Sequence, residues 1–286
     1  KGELELPEND QDIVLMKTTG LPTYHFAHII DDHLMGTTDV IRADEWVSSI
    51  TLHIQLFKMM GWELPNYGHL APIQKMVGNS RRKLSKRKDP EANVEYYKAD
   101  GYPSNAVIGY LLNLVNPSFE EWRRSNPHAS MDKYQVILSE LVRGNGALLD
   151  LVKLKDISKE IIALLPAEQV YLQLLTWAKE YDVEFAKILE AQPEYSIQIL
   201  NIERGTPTAR KDISKWSDVK AIFNYFYDEL FENNQSELIA TFNEQDLQLL
   251  IESIITIYKE EDTKEIWLNK MRNIAVDIGY ASDLKT

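Results

Sequence analysis

The stretch that decides the fold class reads LPTYHFAHIIDDHLMG at residues 21–36 and continues as VIRADEW at residues 40–46. From Glu45 onward the apolar residues recur at steps of three and four positions, which predicts an amphipathic helix over residues 45–60 with one face on a core. Gly61 is expected to end this helix. The region therefore combines one predicted helix with short apolar segments that are typical of strands.

Residues 12–17, which read DIVLMK, are the candidate for a strand that precedes this helix. The turn-forming residues Thr18, Thr19 and Gly20 follow and close it. A strand, a helix and a strand in this order are typical of part of an α/β domain, and the segment is too short to be a whole nucleotide-binding fold. The rest of that fold is expected to precede Lys1.

Beyond residue 93 the sequence pattern becomes helical. Helices are predicted over residues 106–115 and 166–181, bounded by Asn-Pro and by Pro, and over roughly 184–202, 218–232, 244–260 and 262–279. Aromatic residues at helical spacing are expected in the core: Trp216, Phe223, Phe226, Tyr227 and Phe231. The predicted fold class is α+β and mostly α.

Composition limits the classes to which the protein can belong. A chain of 286 residues exceeds one average domain, so two or three compact units are expected. No apolar run is long enough to cross a bilayer, and the polar amino terminus lacks the features of a secretory signal. With no cysteine and six scattered histidines, the sequence predicts no disulfide and no structural metal site. These features favour a cytoplasmic protein without a membrane partner.

A cluster of positive charge contrasts with the net charge of −13, which by itself argues against a nucleic-acid partner. Seven of the 14 residues from Lys75 to Lys88 are Lys or Arg and none is acidic. Within the cluster, KLSKR at residues 83–87 follows a segment without periodicity, VGNS at residues 77–80, which predicts a mobile loop. Two lysines three positions apart can follow a polyphosphate as charge moves to the leaving pyrophosphate. Charge alone also allows a solvated basic loop.

These motifs resemble those of one enzyme family. KLSKR resembles the K-M-S-K-S signature of class I aminoacyl-tRNA synthetases in its glutamyl form. Residues 21–46 resemble the P-T-Y, D-D-H-x-M-G and V-I-R-x-E-E-W motifs of glutamyl-tRNA synthetases. YGHL at residues 67–70 leads to KLSKR, residues 83–87, at the family's usual distance, and we call these five residues the lysine segment. The resemblance implies ATP-dependent ligation of L-glutamate to tRNA(Glu) through a glutamyl-adenylate, with Mg²⁺ accompanying ATP.

The resemblance assigns Tyr24, His28 and Arg42 to the pocket for the amino-acid substrate. Because an unpaired guanidinium binds a carboxylate through two hydrogen bonds, Arg42 is expected to favour glutamate over glutamine. The alternative is an arginine that pairs with Asp31 or Asp44 at the surface. His28 departs from the family, since many bacterial glutamyl enzymes carry Asn here and His is reminiscent of the glutaminyl branch.

The resemblance also implies an ATP site, whose residues are Glu45, Trp46, Lys83, Ser85 and Lys86. Lys83 and Lys86 are expected to be catalytic, because they stabilise charge on the phosphates during the transfer. Trp46 also falls on the apolar face of the predicted helix, so core packing alone could account for it. The Asp31-Asp32 pair receives no catalytic role.

Three domains follow from the resemblance. Residues 1–92 are expected to form the second half of a Rossmann-type catalytic domain, residues 93–158 the stem-contact region, and residues 159–286 an all-helical anticodon-binding domain. The ATP-holding H-x-G-H pattern does not occur, so the chain is expected to be a fragment that is inactive alone. Candidate phosphate contacts in the last region are Arg204, Arg210, Lys211 and Lys215, although a solvated face would also explain them.

Several alternatives stay open at this point. The chain could belong to a non-discriminating enzyme that also charges tRNA for glutamine, or to a glutaminyl enzyme, against which Arg42 counts. It could be a short paralogue that modifies a tRNA base with glutamate, against which the helices after residue 165 count. It could also be a non-catalytic tRNA-binding protein derived from a synthetase. The expected partners are tRNA(Glu), L-glutamate and ATP, and the expected oligomeric state is a monomer.

Overall fold

The computed structural model describes residues 6–137, 140–141, 146–206, 209–231 and 244–279. The chain divides into two compact units, Lys1–Asn224 and Tyr225–Thr286. Helices predominate and the described strands form two small sheets, which confirms the predicted α+β, mostly α, class. None of the helices in these ranges combines the length and the apolar character needed to cross a bilayer.

The first unit opens with a βαβ motif preceded by a helix. Its elements are helix α1 (Tyr24–Met35), strand β1 (Asp39–Ala43), helix α2 (Ile50–Met59) and strand β2 (Asn66–Leu70). Strand β2 runs parallel to β1, with Arg42 opposite His69. The strand, helix and strand order predicted for part of an α/β domain is therefore present, but its first strand is β1.

The predicted strand at residues 12–17 is wrong. Only Met16 forms an isolated bridge, to Pro22, because the turn at Gly20 returns the chain on itself and Pro22 has no N–H to extend a ladder. The apolar side chains of Ile13 and Leu15 are used instead to pack against the core between α1 and α2.

The helix predicted over residues 45–60 is only partly correct. Its first part, Asp44–Ser49, is a 3-10 helix, and Val47 in it is exposed. The α-helical part begins at Ile50, and its apolar face buries Ile50 and Phe57. The irregular start has a physical reason, because the carbonyl of Trp46 accepts a hydrogen bond from the Arg42 side chain at 3.1 Å.

The lysine segment begins in a β-hairpin. Strands β3 (Gln74–Val77) and β4 (Ser80–Lys83) are antiparallel, with Val77 opposite Ser80. The loop predicted at residues 77–80 is therefore correct only for Gly78 and Asn79, which form the turn, and wrong for the strand residues Val77 and Ser80. Gly78, with φ of 59°, occupies the left-handed conformation that a two-residue hairpin turn requires.

Helices make up the rest of the first unit. They are α3 (Val94–Asp100), α4 (Ser104–Val115), α5 (Ser118–Ser125), α6 (Leu151–Ala163), α7 (Ala167–Tyr181), α8 (Val183–Ala191), α9 (Pro193–Leu200) and α10 (Trp216–Phe223). The helices predicted at 106–115 and 166–181 are confirmed in α4 and α7. The single helix predicted over 184–202 is wrong, because Pro193 lacks an N–H and starts a new helix.

The described part of the second unit contains helices α11 (Glu244–Ile257) and α12 (Lys264–Asp277), close to their predicted positions. The helix predicted over 218–232 is too long, since α10 ends at Phe223 and residue 232 lies outside the described residues. The expected core position is confirmed for Trp216, Phe223 and Tyr227, which are buried. It is wrong for Phe231, which is 57% exposed, because helical spacing no longer applies past the end of the helix.

A corner between α3 and α4 packs directly on the start of α10. Gly101, with φ of 91°, accepts a hydrogen bond from the backbone N–H of Trp216 at 2.9 Å, and a Cβ at this position would lie 2.9 Å from the backbone nitrogen of Ser217. Asp100 adds an ion pair with Lys215 at 2.5 Å. Residues of the predicted second and third domains are thus in contact, and the boundaries at residues 92 and 158 stay a prediction.

Candidate glutamate and ATP site

The candidate site lies where α1, β1 and the 3-10 helix meet. Ile29 of α1 packs against Leu52, Leu56 and Phe57 of α2, and this core holds the two helices together. The polar residues of α1 and α2 that face β1 are thereby brought near Arg42, which lies in that strand.

Three aromatic rings meet at the amino-terminal end of α1. The ring of Tyr24 lies 4.7 Å from that of Trp46 and 5.6 Å from that of His28, with which it is stacked. Tyr24 is half exposed, so a ligand can reach this ring cluster from solvent. Residues of α1 and of the 3-10 helix are therefore brought together.

Arg42 is surrounded by neutral acceptors. Its Nε donates to Nε2 of His69 at 3.1 Å, its Nη1 to Nδ1 of His53 at 3.0 Å, and its Nη2 to the carbonyl of Trp46 at 3.1 Å. The guanidinium also lies 5.0 Å from the ring centre of Tyr67. In the part of the chain that the structure describes, no carboxylate lies within 4.0 Å of it. The alternative of a surface pair with an aspartate is therefore wrong.

The histidines around Arg42 are held in their neutral forms. Burial, followed by the charges of neighbouring groups, lowers the pKa of His53 to about 3. Burial also lowers the pKa of His28, against the raising effect of Asp32 at 3.2 Å, and it lowers the pKa of His69, with a further contribution from Arg42. Near neutral pH the positive charge of Arg42 thus stands among uncharged rings.

Two buried polar atoms beside Arg42 lack a full set of hydrogen-bond partners. The hydroxyl of Tyr67 makes no hydrogen bond to the described residues, and Nε2 of His28 lies 3.2 Å from Oδ2 of Asp32 without hydrogen-bond geometry. Buried polar atoms without a partner are uncommon in folded proteins, and each is a candidate contact for a polar ligand. Together with the remaining N–H groups of Arg42, they form a set of polar atoms that fits a carboxylate-bearing molecule.

The lysine segment is attached to this site at one end and to a buried carboxylate at the other. Lys83, at the end of β4, forms an ion pair with Glu45, which precedes Trp46. Asp89 is buried and accepts two hydrogen bonds from Arg82, at 2.6 and 2.7 Å, and one from the backbone N–H of Ser85 at 2.9 Å. The hydrogen bonds from Arg82 hold the pKa of Asp89 far below its usual range.

Residues 1–137 match the model of the tRNA synthetases class I (E and Q), catalytic domain. The Glutamate--tRNA ligase of Clostridium perfringens (strain 13 / Type A) is 46% identical over 288 residues, covering 100% of this chain and 53% of the ligase. That of Sorangium cellulosum (strain So ce56) is 44% identical over 300 residues, covering 100% and 52%. This chain belongs to the glutamyl-tRNA synthetase family. It spans about half the length of the curated relatives that it matches.

Solved structures in the synthetase family share the fold. The crystal structure of a glutamate tRNA ligase from Elizabethkingia meningosepticum CCUG26117, in complex with its amino acid, superposes with a TM-score of 0.62 at 26% identity, covering 94% of this chain and 53% of that one. The glutamate-tRNA synthetase from Elizabethkingia anophelis gives a TM-score of 0.63 at 25% identity, covering 95% and 54%.

Within the synthetase family motifs, the structure brings most predicted site residues together. Tyr24, His28, Arg42 and Trp46 form one cluster, and Lys83 reaches it through Glu45. Ser85 and Lys86 follow in the next turn, and Lys86 is exposed, without an ion pair to a described carboxylate. Their individual roles stay predictions.

Sequence reasoning assigned no role to five residues that complete this arrangement: His25, His53, Tyr67, His69 and Asp89. A polar residue on the apolar face of a helix was the available signal for His53. The YGHL motif supports the resemblance, but nothing in the sequence predicts that Tyr67 and His69 lie against Arg42. That proximity follows from the parallel register of β1 and β2.

The four candidate phosphate contacts after residue 200 are all engaged within the first unit. Arg204 is half-buried and donates to the carbonyls of Ile162 and Leu165, at the end of α6. The others form ion pairs with acidic residues, which are Asp212 for Arg210, Glu160 for Lys211 and Asp100 for Lys215. Each of these four positive charges thus has a partner within the protein, and none of them requires a nucleic acid to explain its position.

In the described ranges, no group of three His, Cys, Asp or Glu side chains is arranged to hold a metal ion. The expected lack of a structural metal stays a prediction. The donors of the lysine segment are ammonium groups, which suit the oxygens of a polyphosphate rather than a bare cation.

Proposed function

We propose that this chain supplies the glutamate-binding and ATP-loop part of a ligase that joins L-glutamate to tRNA(Glu) with ATP. The observation that carries the proposal is the setting of Arg42. Its guanidinium has neutral acceptors on three of its nitrogens, no described carboxylate within 4.0 Å, and the ring centre of Tyr67 at 5.0 Å. Names of relatives support the same reaction.

Charge complementarity would select glutamate. A guanidinium has five N–H donors, and three of those of Arg42 are engaged by protein acceptors, so two are left for a ligand. A carboxylate can accept from both and cancel the positive charge, whereas the amide of glutamine is neutral and leaves the charge uncompensated. The half-exposed Tyr24 and the ring of His28, whose Nε2 also faces Asp32 at 3.2 Å, would contact the rest of the amino acid.

The lysine segment would act on ATP. The α-carboxylate of glutamate attacks the α-phosphorus, a mixed anhydride forms and pyrophosphate leaves; the acyl group then passes to a hydroxyl of the terminal adenosine of tRNA and AMP leaves. Lys83 and Lys86 would stabilise the negative charge that develops on the phosphate oxygens. Glu45 and Trp46 would line the adenosine side. Mg²⁺ would arrive with ATP and neutralise part of the phosphate charge.

The remaining regions would hold the tRNA. We assign residues 1–92 to the catalytic domain, 93–158 to the stem-contact region and 159–286 to an anticodon-binding domain, in a monomeric cytoplasmic enzyme. The change from strands to helices after residue 92 supports the first boundary, and the contact of Gly101 with the start of α10 would fix the second part against the third.

A chimera tests the proposal. In it, this chain replaces the 46% identical segment of the Clostridium perfringens ligase, and glutamylation of tRNA(Glu) and ATP–pyrophosphate exchange are measured. An active chimera that uses glutamate and not glutamine is the expected result. A chimera that folds but activates no glutamate contradicts the proposal.

The chimera also tests the lysines. Lys83→Ala with Lys86→Ala should lower the rate of adenylate formation far more than the affinity for tRNA. Arg87→Ala with Lys88→Ala is the matched control, since it removes the same charge from adjacent exposed positions and should leave adenylate formation nearly unchanged. Equal effects of the two double variants would mean that the segment is only an electrostatic patch.

The 286-residue chain by itself is expected to be inactive, because none of its six histidines occurs in an H-x-G-H pattern. Measurable ATP–pyrophosphate exchange by the chain alone would contradict this. A second candidate is an enzyme that also charges tRNA for glutamine, which the histidine at position 28 favours. Charging assays with the two tRNAs separate the candidates.

A further inference from the structure

His53 is a polar residue in the core of the first unit. It lies on α2, its side chain is 0% exposed, and both ring nitrogens have a partner. Nδ1 lies 3.0 Å from Nη1 of Arg42, and Nε2 lies 3.0 Å from Nδ1 of His25 on α1. A buried histidine with both nitrogens engaged is held in one orientation.

The chemistry of the donors fixes the direction of these hydrogen bonds. A guanidinium can only donate, so Nδ1 of His53 must accept and carries no proton. A neutral imidazole then has its proton on Nε2, which donates to Nδ1 of His25. The hydrogen bonds therefore run in one direction, from Arg42 to His53 and from His53 to His25.

This arrangement holds the plane of the guanidinium. Nη1 is held by His53, while Nε is held by His69 and Nη2 by the carbonyl of Trp46, so three nitrogens of one rigid planar group are fixed. All three acceptors are uncharged. A carboxylate at position 53 would hold the guanidinium equally well, but it would cancel the charge that a substrate carboxylate needs.

We propose that His53, oriented by His25, is a positioning residue that aims the charge of Arg42 at the side-chain carboxylate of glutamate. This inference rests on the proposed function. The residues that determine amino-acid specificity then include one in the core, because His53 on α2 supplies an acceptor for Arg42. His25 acts indirectly, because its Nδ1 keeps the His53 ring in the orientation that Arg42 requires.

The ring state of His53 is the first test. Nitrogen-15 NMR of the histidine rings in the full 286-residue chain should show His53 neutral, with its proton on Nε2, from pH 8 down to pH 5. His33, which stacks on Trp62 at 3.9 Å and lies outside the Arg42 cluster, serves as the internal reference for an exposed histidine. A proton on Nδ1 of His53, or its protonation near pH 6, would overturn the proposal.

Amino-acid selection is the second test, in the chimera. His53→Leu removes the acceptor but keeps an apolar side chain, and it should raise the KM for glutamate about tenfold, the effect of losing one hydrogen bond to a charged group, with little change in the weak use of glutamine. His53→Gln restores an acceptor oxygen and should recover most of the loss. His33→Leu, the same change outside the cluster, should leave the KM unaltered.

The outcomes separate the two proposals. A chimera that selects glutamate and keeps its KM in His53→Leu leaves the proposed function standing and overturns the role of His53. Equal losses for glutamate and glutamine in His53→Leu, without rescue by His53→Gln, would show a merely structural residue and also overturn it. A chimera that folds but activates no glutamate overturns the proposed function, and the selection role of His53 with it.

Discussion

Two arginines of the first unit, Arg42 in β1 and Arg82 in β4, are both partly buried but have opposite surroundings. Arg82 donates two hydrogen bonds, at 2.6 and 2.7 Å, to the buried carboxylate of Asp89, which lies seven positions further along the chain. Arg42 donates to two imidazoles and a carbonyl and, among the described residues, pairs with no carboxylate.

The difference distinguishes an arginine that stabilises the fold from one that is suited to bind a ligand. A guanidinium whose charge is met by a carboxylate within the protein has little left to offer a ligand, and Arg82 accordingly holds the two ends of the lysine segment together. A guanidinium held only by neutral acceptors is equally well oriented but keeps its charge. The orientation of Arg42 is thus structural, whereas its charge is available for a substrate.

Removal of Arg42 should have the largest effect on function. In the chimera, Arg42→Ala should lower kcat/KM for glutamate by the factor that corresponds to a loss of about 1.5–3 kcal/mol, the size of a charge-assisted hydrogen bond. The kcat/KM for glutamine should change little. Arg81→Ala, which removes an exposed arginine of β4, is the control. Equal losses for glutamate and glutamine would show that Arg42 does not select by charge.

Removal of Asp89 should instead act on stability. Asp89→Ala leaves Arg82 and the N–H of Ser85 without their acceptor, so the Tm should fall clearly below that of the wild type, and Asp89→Asn should fall less because its amide oxygen still accepts. Asp132, an exposed aspartate, provides the control, and Asp132→Ala should hardly change the Tm. A Tm of Asp89→Ala equal to that of the control would refute this account of the segment.

His53 with its neighbours and Asp89 with its neighbours form two clusters, which should begin to lose stability at different pH values. The pKa of His53 is lowered to about 3 by burial and by His28, Arg42 and His25, which face it, so the unfolded chain binds the proton more readily and stability falls as the pH drops below about 6.5. The pKa of Asp89 is also lowered, so its contribution is complete above about pH 4 and is lost below it.

Chemical denaturation at a series of pH values measures both effects. His53→Gln should flatten the decrease that begins at about pH 6.5 and continues to about pH 3, whereas Asp89→Asn should flatten only the decrease below about pH 4. The same pH profile for both variants would mean that the two clusters do not titrate separately.

The ion pair between Lys83 and Glu45 should show the smallest effect. Both side chains are about half exposed, at 49% and 53%, and exposed pairs contribute only about 0–1 kcal/mol to stability. Glu45→Gln should therefore leave the Tm nearly unchanged, as the exposed control Glu184→Gln should. A large loss of stability in Glu45→Gln alone would place this pair with Asp89 and Arg82 as a structural contact.

Periodicity and proline positions are sufficient to predict α4 and α7. They fail where polar residues form regular structure. The basic β4 has no apolar alternation, so the sequence pattern predicts a loop where the hairpin with β3 forms. Residues 12–17 have the composition of a strand, but they use their apolar side chains in the core between α1 and α2 and form no ladder.

The candidate site shows a similar division. Motif resemblance identified Tyr24, His28, Arg42 and Trp46, which do lie together. The partners that hold Arg42 were not predicted, because His53 and His69 are 11 and 27 positions away and meet it only through the folding of α2 and the register of β2. The residues that would contact a substrate can be predicted from local motifs, but the residues that hold Arg42 in place can be identified only from the fold.

The contact between Gly101 and the start of α10 also constrains when the chain can fold. At roughly 5–20 residues per second, synthesis of the chain between Gly101 and Trp216 takes on the order of 10 seconds. During that time the carbonyl of Gly101 cannot receive its hydrogen bond from Trp216. The carbonyl of Gly101 must therefore stay hydrated until Trp216 has been synthesised, and a chaperone or a nascent helix that covered this corner early would delay closure of the first unit.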